Sequence, residues 1–186
     1  MTTRPTTALA ILASALLSAC TAPVLRKDAA PEPRSGYVYA ALILPPSARM
    51  CDLRTGLALR QVDGDREYVL EFSRVEPVVI FPVEPGRYRI DEFVFRTCES
   101  MGAGRKPLTE KLVPGEILVE PTTAVYLGRY EGETRIDNDI YSVGWNWSVY
   151  RMCSDYEDTT ARLLRTWPKF AALRTRDGTS EGRICR

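Results

Sequence analysis

Whatever chemistry this chain performs, it performs without an imidazole. Its 186 residues include no histidine, 25 lysines and arginines, 24 aspartates and glutamates, and 5 cysteines. The absence of histidine excludes His-dependent triads, His-containing zinc sites and His acid–base pairs. Asp137-Asn138-Asp139 and Asp63-Gly64-Asp65 offer oxygen ligands of the kind calcium takes. Neither has the alternating ligands and distal glutamate of an EF-hand loop, and both read as turn formers. Ser100-Met101-Gly102-Ala103-Gly104-Arg105 is glycine-rich. It lacks the Gly-Lys-Ser/Thr ending of a phosphate loop, so the stretch between Thr97 and Pro114 reads as a mobile loop. No metal, cofactor or catalytic residue is expected. A net charge of +1 leaves no electrostatic footprint for nucleic acid.

Aromatic chemistry is the remaining candidate. Tyr141, Val143, Trp145, Trp147 and Val149 alternate with Ser142, Gly144, Asn146 and Ser148. That period of two describes a strand with one aromatic face. The face either packs into a core or forms a ligand platform, with Trp145 and Trp147 stacking on a sugar or an apolar ligand. The core reading is favoured, and the platform is its alternative. Carboxylate pairs for glycoside cleavage are not assignable, because their separation is a structural quantity.

The N-terminus carries an address. Arg4 precedes a mostly apolar run from Ala8 to Leu17, the pattern of an export signal over residues 1–19. The run is far short of the roughly 20 residues of a membrane-spanning helix. Leu17-Ser18-Ala19-Cys20 resembles the bacterial lipoprotein box, which implies acylation of Cys20 and cleavage before it. Thr21, in place of Asp, resembles cargo sorted to the outer membrane. Two or three acyl chains hold stably where one holds only marginally. Residues 20–36, with three prolines and no periodicity, read as a lipidated, disordered tether. Cys51, Cys98, Cys153 and Cys185 are then an even set in an exported chain, and two disulfides are the default. Three pairings are open. Cys51–Cys98 and Cys153–Cys185 are favoured because each joins neighbours along the chain.

Residues 37–186 must position all of this, and they punctuate like a β protein. Leu57–Val62 and Arg66–Phe72 flank the Gly-centred connection at residues 63–65, a hairpin signal. Pro82 within Pro77–Val83 points to an edge strand or a bulge. Glu84-Pro85-Gly86 reads as a turn with positive φ at Gly86. Tyr88 and Ile90 differ in parity from Phe93 and Phe95, which predicts a bulge at Asp91-Glu92. Later strands are expected at Glu116–Glu120, Thr123–Tyr130 and Tyr141–Tyr150. Ser154 and Glu157 fit a capping box. Tyr156, Thr160, Leu163, Leu164 and Trp167 share one face of a helix that should stop at Pro168.

Two segments carry a resemblance: Phe81-Pro82-Val83-Glu84-Pro85-Gly86-Arg87-Tyr88-Arg89-Ile90 and Ala124-Val125-Tyr126-Leu127-Gly128-Arg129-Tyr130. Over residues 37–130 the chain resembles small bacterial outer-membrane lipoproteins with a transthyretin-like or carboxypeptidase-regulatory-like β-sandwich. The expected fold is mainly β, an antiparallel sandwich of about seven to eight strands with a C-terminal α-helix. The expected role is a non-catalytic binding or assembly module of the envelope. It would be held in the outer membrane by N-terminal acyl chains, facing the periplasm, with another envelope protein or a glycan as partner. The alternative is a carboxylate-based hydrolase of envelope glycan or peptidoglycan.

Overall fold

The computed structural model describes residues 20–21, 25–43, 54–72, 77–96, 103–108, 115–139, 142–179 and 185. The strands fall into two sheets. The first joins β1 (Cys20–Thr21), β3 (Arg54–Gln61), β4 (Glu67–Glu71), β6 (Gly86–Arg96) and β7 (Ala103–Pro107), in the order β1-β4-β3-β6-β7. A short β8 (Ile117–Val119) also pairs with β6. The second runs β10 (Ser142–Cys153), β9 (Thr123–Asp139), β2 (Gly36–Ile43), β5 (Val78–Val83), with β11 (Arg174–Asp177) added to β9. Helix α1 (Tyr156–Thr166) and a 3-10 helix (Pro168–Ala172) follow the last long strand. The protein is a two-sheet, mainly β sandwich with a C-terminal helix, as the residue pattern predicts.

Several local expectations are realised for the reasons given. β3 and β4 form the antiparallel hairpin around Asp63-Gly64-Asp65. β5 lies at a sheet edge, where Pro82 removes no shared ladder bond. On β6, Ala58 faces Glu92 while Leu59 faces Ile90, so Asp91 is the extra residue of a bulge. Tyr88, Ile90 and Phe93 thereby all reach the core between the sheets.

Other expectations are corrected. β2 and β9 run parallel, so the second sheet is mixed. Gly86 does not take positive φ, which is found instead at Gly115, Gly128 and Thr122 among the described residues. The Glu84–Gly86 corner passes the chain from one sheet to the other, and the Tyr88 hydroxyl donates to the Glu84 carbonyl at 2.6 Å. Residues 103–107 of the expected loop form the edge strand β7. β9 continues to Asp139, so Asp137-Asn138-Asp139 ends a strand.

Two apolar layers result. Val38, Leu57, Leu70, Phe81, Tyr88, Phe93, Val125 and Tyr130 are among the side chains filling the space between the sheets. On the far side of the β2–β9 sheet, Tyr37, Tyr39, Ala41, Ile80 and Tyr126 meet Leu163, Trp167, Phe170 and Leu173. β2 is therefore buried on both faces, which is why it reads as a run without alternation. The helix face predicted at Leu163 and Trp167 is the one that packs, and Trp167 ends the helix before Pro168.

The N-terminal segment joins this second layer. Leu25 and Ala29 pack against it, the Trp167 indole donates to the Leu25 carbonyl at 3.4 Å, and Lys169 donates to the Asp28 carbonyl at 2.8 Å. The Glu32 amide donates to the Tyr37 hydroxyl at 2.6 Å. The expectation of a structureless tether up to residue 36 is thus corrected: from Leu25 onward it is a strap over the helical layer. Its apolar residues are few, but the tryptophan and the tyrosine supply the partners its backbone needs.

Candidate functional site

A polar knot sits where β9, β10 and α1 converge. It depends on one irregularity: Tyr39 faces Tyr126 and Ala41 faces Arg129, so β9 carries one residue more than β2 between them. Gly128 occupies that stretch with φ of 109°, a conformation that glycine takes without steric cost. The extra residue reverses the parity of the strand. Val125, Leu127 and Tyr130 point to the inter-sheet core, while Tyr126 remains in the helix-side layer with Arg129 close to the helix start.

Asp155 collects these groups. It accepts hydrogen bonds from the Tyr126 hydroxyl and from Thr159 Oγ1, at 2.6 Å for the latter, and pairs with Arg129 at 3.3 Å. Arg129 also pairs with Glu131 at 2.7 Å. Burial, and then the bond to Asp155, push the Tyr126 hydroxyl far above its ordinary pKa. The knot holds a neutral tyrosine hydroxyl and two carboxylates paired with Arg129.

The predicted capping box does not form. Ser154 Oγ donates to Asp177 at 3.0 Å, and Asp155 takes the N-cap position. β11 places Asp177 opposite Tyr126, which competes successfully for the serine. The remaining tyrosines of the layer are satisfied in turn: Tyr39 and Thr160 share a bond of 2.7 Å, and Tyr156 donates to Thr175 at 2.8 Å. Composition alone did not single out Tyr126, Arg129 or Asp155. The one signal was Gly128 inside an otherwise apolar strand, the mark of a bulge.

The outer face of the β3–β6 sheet carries a second charged group. Arg105 on β7 donates to Glu92 on the neighbouring β6 at 3.0 Å and reaches Glu67 on β4. Arg60 adds a bond to Glu67 at 3.3 Å. The Arg105 bonds, followed by those of Arg60, hold the Glu67 carboxyl below the usual carboxylate range. Asp63 is similarly engaged, gripped by the Arg87 guanidinium at 2.7 and 3.0 Å. Asp63 is therefore an ion-pair partner here. Among the described residues no group of three or more cysteines, aspartates and glutamates is arranged to hold a metal ion.

The other predicted site residues are distributed as follows. Cys153 and Cys185 form a disulfide with Cα atoms 5.0 Å apart, the pairing favoured from the sequence. Cys51 and Cys98 lie outside the described residues. Cys20 and Thr21 pair in parallel with Tyr68 and Val69 at the β4 edge. Trp145 stands opposite Ile136 and Trp147 opposite Thr134 in the β9–β10 ladder. The placement of both indoles lies outside the described structure, so neither the core nor the platform reading gains from it.

No known protein family, curated protein or solved structure matches the chain.

Proposed function

We propose that this chain is a lipid-anchored protein of the bacterial cell envelope that works as a non-catalytic binding or assembly module. One observation carries the reading: the Leu17-Ser18-Ala19-Cys20 box at the end of an export-type leader. The Cys153–Cys185 disulfide supports it, because such bonds persist in oxidising compartments outside the cytosol. The folded body follows closely on Cys20, whose backbone joins the edge of β4. Sorting to the outer membrane and a transthyretin-like ancestry belong to the same proposal.

The non-catalytic part rests on the carboxylates. A glycan hydrolase without histidine needs an acid whose pKa is raised. Glu67 moves the other way, and Glu92, Glu131 and Asp155 are each paired with an arginine. Cells fed labelled palmitate test the anchor. Label on the wild type and none on Cys20→Ala is the expected result. An unlabelled protein with its leader intact would overturn it.

A further inference from the structure

Among the described residues, the last pair between β9 and β2 is Ile43 with Glu131. From there to Asp139 it pairs, among the described residues, with β10 alone. Asp139 to Gly132 and Ser142 to Val149 therefore make a two-stranded ribbon running on from the sheet. A two-stranded ribbon is marginally stable in water, and three or more strands are the usual requirement.

Among the described residues the β10 side of this ribbon has no neighbouring strand, and it differs from the other sheet edges. Edges that face water carry charges, prolines or very short strands to discourage strand addition. β7 has Arg105, Lys106 and Pro107, β5 has Pro82, and β1 is only 2 residues long. β10 from Ser142 to Tyr150 has no charged residue and no proline. Its partner segment of β9 holds Glu133, Arg135, Asp137 and Asp139, so of the ribbon's two sides only that of β10 is uncharged.

We propose that this edge is an interface with a second copy of the same chain, β10 pairing antiparallel with β10 about a two-fold axis at Asn146. The two ribbons then join as one four-stranded sheet. Side chains of directly opposed residues share a face only when the paired positions have the same parity, so the axis falls on a residue. Asn146 is the centre of the uncharged run. That register sets Trp145 opposite the partner's Trp147 and Val143 opposite the partner's Val149. Aromatic and β-branched cross-strand pairs are favourable, and no charge opposes a like charge over the run. The symmetry uses the same patch twice, as an isologous interface requires. Self-complementarity of this kind favours a second copy over an unrelated peptide. Lipidation is not involved, and Cys20→Ala leaves this edge intact.

The test uses the full-length chain in mild detergent. Sedimentation equilibrium is expected to return a dimer for the wild type and a monomer for Asn146→Lys, with unchanged far-ultraviolet circular dichroism. Asn146→Cys is expected to form a disulfide-linked dimer on mild oxidation, mapped by mass spectrometry to residue 146 of both copies, while the wild type gives none. The cysteine variant decides the matter if the lysine variant misfolds. A monomeric wild type, an Asn146→Cys chain that stays uncrosslinked, or crosslinking to a different protein overturns the proposal.

Discussion

The two sheets face outward in different ways. The outer face of the β2–β9 sheet is covered by a helical layer and a strap; the Tyr39 hydroxyl bonds Thr160, that of Tyr126 donates to Asp155 and that of Tyr37 accepts from the Glu32 amide. The outer face of the β3–β6 sheet has no such cover among the described residues. A small cluster of Ala58, Val69 and Val94 lies there in company with the Arg105–Glu67–Glu92 ion pairs. One face is stabilised by buried aromatic area with satisfied polar tips, the other by a small buried aliphatic cluster and partly exposed ion pairs. Buried aromatic area is worth several kcal/mol per side chain, and exposed ion pairs about one or less. The helical layer should therefore be the part of the molecule most sensitive to truncation.

The largest expected effect follows directly. Trp167 is 3% exposed and joins helix, sheet and strap. Trp167→Ala should cost about 3–5 kcal/mol in urea unfolding, the usual range for a buried tryptophan. Leu118→Ala on β8, at 48% exposure, should stay within about 0.5 kcal/mol. Equal losses at the two positions would erase the contrast. Next in size is the fastening of the C-terminal arm. Cys153–Cys185 spans 32 residues, and the Cys185 amide also donates to the Ser154 carbonyl at 2.9 Å. Cys153→Ser should lower stability by about 2–4 kcal/mol through loop entropy. The loss should disappear when wild type and variant are compared under reducing conditions.

How far the sequence discloses this arrangement depends on the range of the cause. The β3–β4 hairpin, the Asp91 bulge, the edge position of Pro82 and the helix face through Leu163 and Trp167 are written in local spacing. The β2–β9 pairing is not, because parallel neighbours far apart in the chain leave no local mark. β9 beyond Tyr130 is hidden for another reason. Gly132 to Asp139 is mostly polar, and a ribbon strand with one partner strand among the described residues needs little apolar content. The knot at Asp155 is the least legible. It needs the Gly128 bulge, the helix start and β11 together, and the apparent capping box at Ser154 points elsewhere. Of the candidate site residues, the disulfide pairing follows from chain proximity. Cys20, Trp145 and Trp147 are placed by their backbones alone.

The smallest effect probes the charged face. Arg105→Ala removes the bonds to Glu67 and Glu92 but leaves Arg60 on Glu67. At neutral pH the cost should be below about 1 kcal/mol, and smaller still in high salt. The pH dependence follows from the depressed pKa of Glu67. An acid held lower in the folded than in the unfolded chain adds stability above its unfolded pKa. That increment is lost as pH falls through the folded value. Wild type and Arg105→Ala should therefore differ at neutral pH and converge on acidification below the carboxylate range, which urea unfolding at a series of pH values measures. A difference that persists in acid would assign Arg105 a packing role, its aliphatic stem covering apolar surface of the sheet. In that case this face would depend more on buried area, and the distinction between the two sheets would narrow to one of degree.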